Sequence, residues 1–145
     1  MSFPTETHPP ETRTLVIERE FAHPQAKLWR ALTESPLLAQ WLLNNDFTPE
    51  VGHTFQFRSD PVPNWNGIID CTVLLVDPIT QLSYTWGSMG MSSVVVFTLT
   101  PSDAGTHMRM EHSGFGPNQD HAYKGAMYGW QNFLGKLETL LGGLD

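Results

Sequence analysis

Cysteine, basic residues and long apolar runs are all scarce in this sequence. The single cysteine, Cys71, excludes an internal disulfide, and with six methionines it favours a reducing compartment. Eight Lys and Arg against fifteen Asp and Glu give a formal charge of −7, so the positive charge that attracts nucleic acids and anionic membranes is missing. No run approaches the roughly eighteen apolar residues of a membrane span, and no signal-peptide pattern opens the chain. We therefore expect a soluble, unprocessed, cytoplasmic protein that binds neither nucleic acid nor membrane.

The apolar residues that are present suffice for one domain. The chain has 145 residues, 40% of them hydrophobic, with eight Phe, five Trp and three Tyr, and a length of about 150 residues fits one domain. Its first part differs, since Ser2–Thr12 holds three prolines and only one large apolar side chain, Phe3. We predict a disordered or loosely packed N-terminal arm over residues 1–13 and a single domain over residues 14–145.

Alternation of apolar and polar residues predicts a series of strands. Two short helices follow the first strand: Pro24 fits the first turn of one helix, and Ser35 and Pro36 fit the N-cap and first residue of the next. Turn residues join the later strands, so we expect an antiparallel meander. The predicted strands are Thr14–Phe21, His53–Arg58, Trp65–Val76, Gln81–Trp86, Ser92–Thr100 and Thr106–His112.

A long helix is predicted at the C-terminal end. Asn118 is its expected N-cap and Gly142 its end, which gives a length of about 36 Å. This helix would lie across one curved sheet, and the fold class is α+β. Its apolar stripe consists of Tyr123, Ala126, Met127, Trp130, Phe133, Leu134, Leu137, Leu140 and Leu141.

The order and spacing of several short segments resemble a known family. The segments are Glu18-Arg19-Glu20-Phe21, Leu28–Thr33, Leu38-Ala39-Gln40-Trp41, Val51-Gly52, Leu82–Trp86, Val94–Leu99, Thr106–Phe115 and Gly129–Leu134. Between Thr14 and Gly142 the chain resembles the START-like (SRPBCC, Bet v 1-like) superfamily, in the branch homologous to the C-terminal domain of the heat-shock protein 90 ATPase activator (AHSA-like). The resemblance implies a helix-grip fold, in which a curved antiparallel sheet wraps around the C-terminal helix. It also implies an apolar cavity of the kind used across the superfamily for lipids, polyketides and other hydrophobic ligands.

Strand parity selects the side chains that face the helix, and these are the candidate ligand-binding residues. They are mostly apolar with a few polar tips, as is usual for a small-molecule pocket. The same residue types would also fill a closed core, and only the resemblance favours a cavity. The candidates are Phe55, Phe57, Ile69, Cys71, Tyr84, Trp86, Phe97, Met110, His112, Met127, Trp130 and Phe133.

No catalytic group stands out firmly, and His112 and Tyr84 are the candidates. A neutral His112 on the inward face could exchange a proton with a bound molecule, although a histidine at a strand end more often has a structural role. Cys71 has no basic neighbour, so we interpret it as a small buried hydrophobe. Trp65, Met89 and Met91 fall in predicted loops, where they could guard a pocket mouth, form a partner surface or fold over the core edge.

The remaining polar residues have structural explanations. Arg19 interrupts an apolar face, so it either binds an anion in the cavity or, as the safer interpretation, reaches the sheet edge and pairs with a carboxylate. His107 and His112 face opposite sides of one strand, and we expect no metal and no cofactor. Gly125 and Gly129 let the helix approach the sheet or leave room for a ligand. Cross-strand pairing on the outer face explains Asp70, His107, Arg109 and Glu111.

Three functions remain open. The first is a binding module for a small lipid-, polyketide- or aromatic-like hydrophobic molecule. The second is a cyclase-, aromatase- or hydrolase-like enzyme that uses His112 or Tyr84 as a proton shuttle. The third, suggested by the resemblance, is a co-chaperone-like protein of the stress response. It is doubtful because the eukaryotic activator relies on a further N-terminal domain, for which we expect this chain to be too short. A homodimer through the sheet edge or the loop Met89–Met91 is also left open.

Overall fold

The computed structural model describes residues 13–61, 63, 65–88 and 91–144. The predicted arm lies outside these residues, apart from Arg13, which is the first residue of a strand. Two helices follow the first strand, and one long helix ends the fold. In chain order the elements are β1 (Arg13–Phe21), α1 (Gln25–Thr33), α2 (Ser35–Trp41), β2 (Asn44–Asn45), β3 (Thr54–Arg58), β4 (Ile68–Asp77), β5 (Gln81–Ser88), β6 (Met91–Ser102), β7 (Gly105–Phe115) and α3 (Asp120–Gly142).

All seven strands form one curved antiparallel sheet, in the order β1-β7-β6-β5-β4-β3-β2. Strand β1 pairs with β7 and so forms the edge of the sheet next to the meander from β3 to β7. With α1 and α2 after β1 and with α3 at the C-terminal end, the α+β helix-grip fold expected from the sequence is confirmed. Among the described residues no helix is both long and apolar enough to cross a membrane.

The side chains that face the helices form the core, and the predicted parity holds for every strand that was predicted. On β7, for example, Met108, Met110 and His112 are buried, while His107, Arg109 and Glu111 between them are only half-buried. Three aromatic side chains of the core, Phe21, Phe57 and Phe97, have no exposed surface. The space between the sheet and the C-terminal half of α3 is therefore filled by side chains.

The helix starts differ from the expected positions by a residue. Glu34 is the N-cap of α2, whereas Ser35, the predicted N-cap, is the first helical residue. The Ser35 hydroxyl donates instead to Asn45 Oδ1 over 2.8 Å and so ties α2 to β2. Helix α3 begins after Gln119 rather than after Asn118 and ends at Gly142 as expected. Gln119 Oε1 accepts from the Gly116 amide over 2.5 Å, which links the preceding turn to the helix.

Polar side chains on the outer face of the sheet pair across strands, as the sequence predicts. His107 on β7 lies between two carboxylates of β1, with Nε2 2.7 Å from Glu18 Oε1 and Nδ1 2.5 Å from Glu20 Oε2. Arg109 bonds Glu111 over 2.8 Å and Glu18 over 3.2 Å. His107 donates hydrogen bonds to both carboxylates, and these bonds, the one to Glu20 more than the one to Glu18, raise the pKa of His107.

Arg19, which interrupts the apolar face of β1, reaches α3 instead of a cavity. Its Nη2 donates to Gln131 Oε1 over 2.9 Å, and its Nη1 lies 4.0 Å from Glu138 Oε1. This is the predicted pairing with a carboxylate, and it ties the first strand to the last helix.

Helix α3 has two halves with different surroundings. From Trp130 onward it buries Trp130, Leu134, Leu137 and Leu141. No side chain in the first ten residues, 120–129, is buried, and only Tyr123, Ala126 and Gly129 are half-buried. The first half of α3 thus stands farther from the sheet than the second half. It contacts the sheet through Tyr123, whose ring centroid lies 5.4 Å from that of Phe115 on β7.

Candidate functional site

A pocket of about 620 Å³ lies between the first half of α3 and the end of the sheet formed by β5, β6 and β7. We call it the α3 pocket and define it by its described lining. The strands contribute an aromatic and thioether wall, and the turn before α3 contributes polar groups. The lining residues are Trp65, Trp86, Ser88, Met91, Ser93, His112, Phe115, Asn118, Gln119, His121, Ala122, Gly125 and Ala126.

Small residues on α3 leave this space free. Ala122, Gly125 and Ala126 present at most a methyl group to the pocket. A Cβ built on Gly125 would meet no atom within 4 Å. Of the two explanations offered for the Gly125–Gly129 pair, room for a ligand fits Gly125, whereas Gly129 is not among the lining residues.

His112 lies at the base of the pocket, only 2% exposed, and its two ring nitrogens are both bonded. Trp130 Nε1 donates to Nδ1 over 3.0 Å. Because Nδ1 accepts, the neutral ring carries its proton on Nε2 and donates it to Ser93 Oγ, 2.8 Å away. Ser93 Oγ in turn donates to the carbonyl of Trp86 over 2.8 Å. The side-chain polar atoms of Trp130, His112 and Ser93 therefore all have hydrogen-bond partners when the ring is neutral.

Burial keeps the His112 imidazole neutral. Loss of solvation lowers the pKa of His112 to about 4. The ring also contacts aromatic neighbours, with centroids 5.7 Å from Trp86 and 4.7 Å from Phe115. His112 thus holds the aromatic wall in place and has no free nitrogen for a bound molecule.

Tyr84, the second catalytic candidate, lies outside the α3 pocket and is fully buried. It sits among aromatic rings, 5.4 Å from Phe55 and 6.1 Å from Phe97 between centroids. Its hydroxyl has no hydrogen-bond partner in the described part of the chain. Burial raises the pKa of Tyr84 well above its ordinary value and also raises that of the Cys71 thiol.

The twelve candidate ligand-binding residues fall into three places. Trp86 and His112 line the α3 pocket. Met127 is 39% exposed on α3, because the first half of the helix stands away from the sheet. Phe133 packs half-buried against the core, and the other eight are buried in it: Phe55, Phe57, Ile69, Cys71, Tyr84, Phe97, Met110 and Trp130.

Several lining residues were not candidates from the sequence. Ser88 and Ser93 are small polar residues in an apolar strand pair, and Asn118, Gln119 and His121 belong to a turn and a helix start. Nothing in their spacing signals a pocket. Trp65 and Met91 line the pocket and also pack half-buried against the core, so guarding the mouth and folding over the core edge both stay open. Met91 was expected in a loop but is the first residue of β6. Met89 lies outside the described residues.

A second groove, of about 570 Å³, runs over the outer face of the sheet. It opens where β4 and β5 separate, since the Thr72 amide donates to the Thr85 hydroxyl over 2.8 Å instead of to the neighbouring backbone. Most of its lining is charged or polar, as with Asp46, Gln56 and Arg58. Two of the candidate ligand-binding residues, Phe55 and Cys71, also line this groove. The aromatic lining of the α3 pocket is more typical of a small-molecule site.

No cluster suited to a metal ion occurs in the described ranges. Nowhere among them do three His, Cys, Asp or Glu side chains converge as metal ligands would.

Comparison with known proteins relates the chain to a family. The family model described as "Activator of Hsp90 ATPase homolog 1-like protein" matches residues 22–142. Among solved structures, protein MLL2253 from Mesorhizobium loti is 51% identical with a TM-score of 0.86, over 92% of this chain and 99% of that one. No curated protein matches.

More distant structures share the fold alone. CalU16 from Micromonospora echinospora is 19% identical with a TM-score of 0.76, over 90% of this chain and 76% of its own. DynU16, described as a protein in the dynemicin biosynthetic locus, is 22% identical with a TM-score of 0.74, over 92% of this chain and 48% of its own.

Proposed function

The chain belongs to the Activator of Hsp90 ATPase homolog 1-like family, within the START-like superfamily, and from this premise we propose that it binds a small hydrophobic molecule in the α3 pocket. The observation that carries the proposal is the pocket itself, with a volume of about 620 Å³. Ligand pockets typically measure about 300–1,000 Å³ and combine an apolar wall with a few polar groups.

The arrangement of the lining supports a ligand with an aromatic or otherwise apolar body. Trp86, Phe115 and Met91 provide flat or adaptable apolar surface. Asn118, Gln119 and His121 at the start of α3 offer polar contacts to substituents at the other side of the pocket. The fold is compatible with such binding, and it is shared with DynU16, a protein of the dynemicin biosynthetic locus.

An enzymatic function has less support. A general base needs a free lone pair near the reacting group, but both nitrogens of His112 are bonded to side chains of the protein. The Tyr84 hydroxyl is buried away from the pocket. Binding without catalysis therefore accounts for more of the site.

The test is a titration with N-phenyl-1-naphthylamine, an uncharged probe that fluoresces in apolar sites. Saturable binding at one probe per chain is expected. Gly125→Leu should place a side chain in the open space that the probe would occupy and weaken binding by about tenfold or more, which corresponds to about 1.4 kcal/mol.

Gly135→Leu is the matched control, since it lies on the same helix outside the pocket and also has open space around a built Cβ. Both substitutions replace a helical glycine and favour the helix. Absence of saturable probe binding would refute the proposal, as would equal loss of binding in the two variants.

The predictions about cellular location, oligomeric state and protein partners stay predictions. They are the cytoplasmic location, a homodimer and a chaperone partner in the stress response. For the chaperone partner, retention of the heat-shock chaperone from the same cell by the immobilised chain is the relevant measurement.

A further inference from the structure

The described lining of the α3 pocket contains no Asp, Glu, Lys or Arg. Its titratable groups are His112 and His121. His112 is held neutral by burial, with both nitrogens bonded to Trp130 and Ser93. His121 is exposed, at the solvent side of the pocket. The base of the pocket therefore offers no cation to a negatively charged ligand.

Two basic side chains are neighbours of the lining residues. Lys124 precedes Gly125 on α3, but it is exposed and is not a lining residue. The other, Arg13, is already paired. Arg13 is opposite Phe115 in the β1–β7 register, and it bonds Asp120. Its guanidinium carbon also lies 4.1 Å from the centroid of the Tyr123 ring. The positive charge of Arg13 is thus offset by the carboxylate of Asp120.

The N-terminus of α3 does not add an attraction for a negatively charged ligand. A helix N-terminus attracts an anion, but Asp120 in the first turn of α3 already supplies one. The whole chain adds a repulsive background, since its formal charge is −7.

Removing an anion from water without a paired cation is costly. We propose that the α3 pocket selects uncharged aromatic molecules and rejects those that carry a carboxylate or sulfonate. This selectivity rests on the proposed function, because it concerns ligands of the same pocket.

The test compares two probes that differ only in one charged group. N-phenyl-1-naphthylamine is neutral, and 8-anilino-1-naphthalenesulfonate is the same ring system with a sulfonate. At low salt we expect the neutral probe to bind at least about tenfold more tightly, which corresponds to about 1.4 kcal/mol.

A charge variant makes the cause specific. His121→Lys places a cation at the mouth and is expected to narrow the difference between the probes to about threefold or less. Tyr128→Lys adds the same charge on the same helix at a position that is 73% exposed and outside the lining. It should leave the preference unchanged.

The outcomes separate this inference from the proposed function. If the sulfonate binds as tightly as the neutral probe, charge selectivity is refuted and ligand binding stands. If Tyr128→Lys narrows the preference as much as His121→Lys, net charge rather than the lining sets it, and the inference is again refuted. If neither probe binds, both the proposed function and the selectivity fail.

Discussion

Acidification from about pH 7.5 to about pH 4.5 is expected to destabilise the fold by about 2–3 kcal/mol through His112 alone. The pKa of this imidazole falls from its ordinary value of 6.5 to about 4 in the folded chain. At a pH between these two pKa values, His112 is protonated in the unfolded chain and neutral in the folded chain. Stability from this group is therefore complete above about pH 6.5 and is lost as the pH falls toward about 4.

The hydrogen bonds of His112 explain why protonation of its ring is unfavourable in the folded chain. A protonated ring would carry a hydrogen on Nδ1, which faces the Trp130 indole N–H at 3.0 Å. The two donors would then oppose each other in a site that is 2% exposed. The cost combines lost solvation with one broken hydrogen bond.

Urea denaturation at the two pH values measures this effect. Other groups also titrate, so the informative quantity is the pH-dependent loss of unfolding free energy in the natural chain minus that in His112→Asn. We expect a difference of about 2–3 kcal/mol, with His121→Asn, at an exposed position, behaving like the natural chain.

A difference below about 1 kcal/mol would refute the reasoning. If His112→Asn does not fold, NMR titration of the His112 ring decides the matter directly. A midpoint near the ordinary histidine value would then contradict the hydrogen-bonded neutral ring.

Three further changes probe other parts of the fold. Tyr84→Phe removes a buried hydroxyl that has no partner in the described residues, so urea denaturation should show unchanged stability or a gain of up to about 1 kcal/mol. Gly105→Ala should cost at least about 2 kcal/mol in the same assay, since φ is +148° and the new Cβ would lie 2.6 Å from the Phe21 carbonyl oxygen. Glu18→Gln should lower the raised pKa of His107 in an NMR titration; the stabilisation from this pair is present below the ordinary histidine pKa and is lost as pH rises through the raised one.

Periodicity explains how much of the fold could be predicted. Strands of five residues or more, and the helix from Asp120 to Gly142, show their period in the sequence. The strand Asn44–Asn45 could not be found, because two residues carry no period. Ser35 was placed one residue wrong as a cap, because its hydroxyl bonds Asn45 across ten residues of chain.

The site was harder to predict than the fold. Parity identifies the side chains between sheet and helix, but it says nothing about the distance between these two layers. Phe57 and Phe97 face inward as expected and are fully buried in the core. The pocket instead lies where α3 stands away from the sheet, near Gly125. Gly125, together with the candidates Trp86 and His112, was a sequence signal of this place.

The unequal halves of α3 also concern the rate at which a ligand can arrive. Trp130, Leu134 and Leu137 anchor the second half in the core, whereas residues 120–129 bury no side chain. Local opening takes the least free energy where few side chains are buried. The first half of α3 can therefore unwind and expose the pocket while the sheet and the second half stay folded, so amide hydrogen exchange should be fast in one half and slow in the other. A bound molecule would stabilise the first half of α3 and slow amide hydrogen exchange there, but not in the second half.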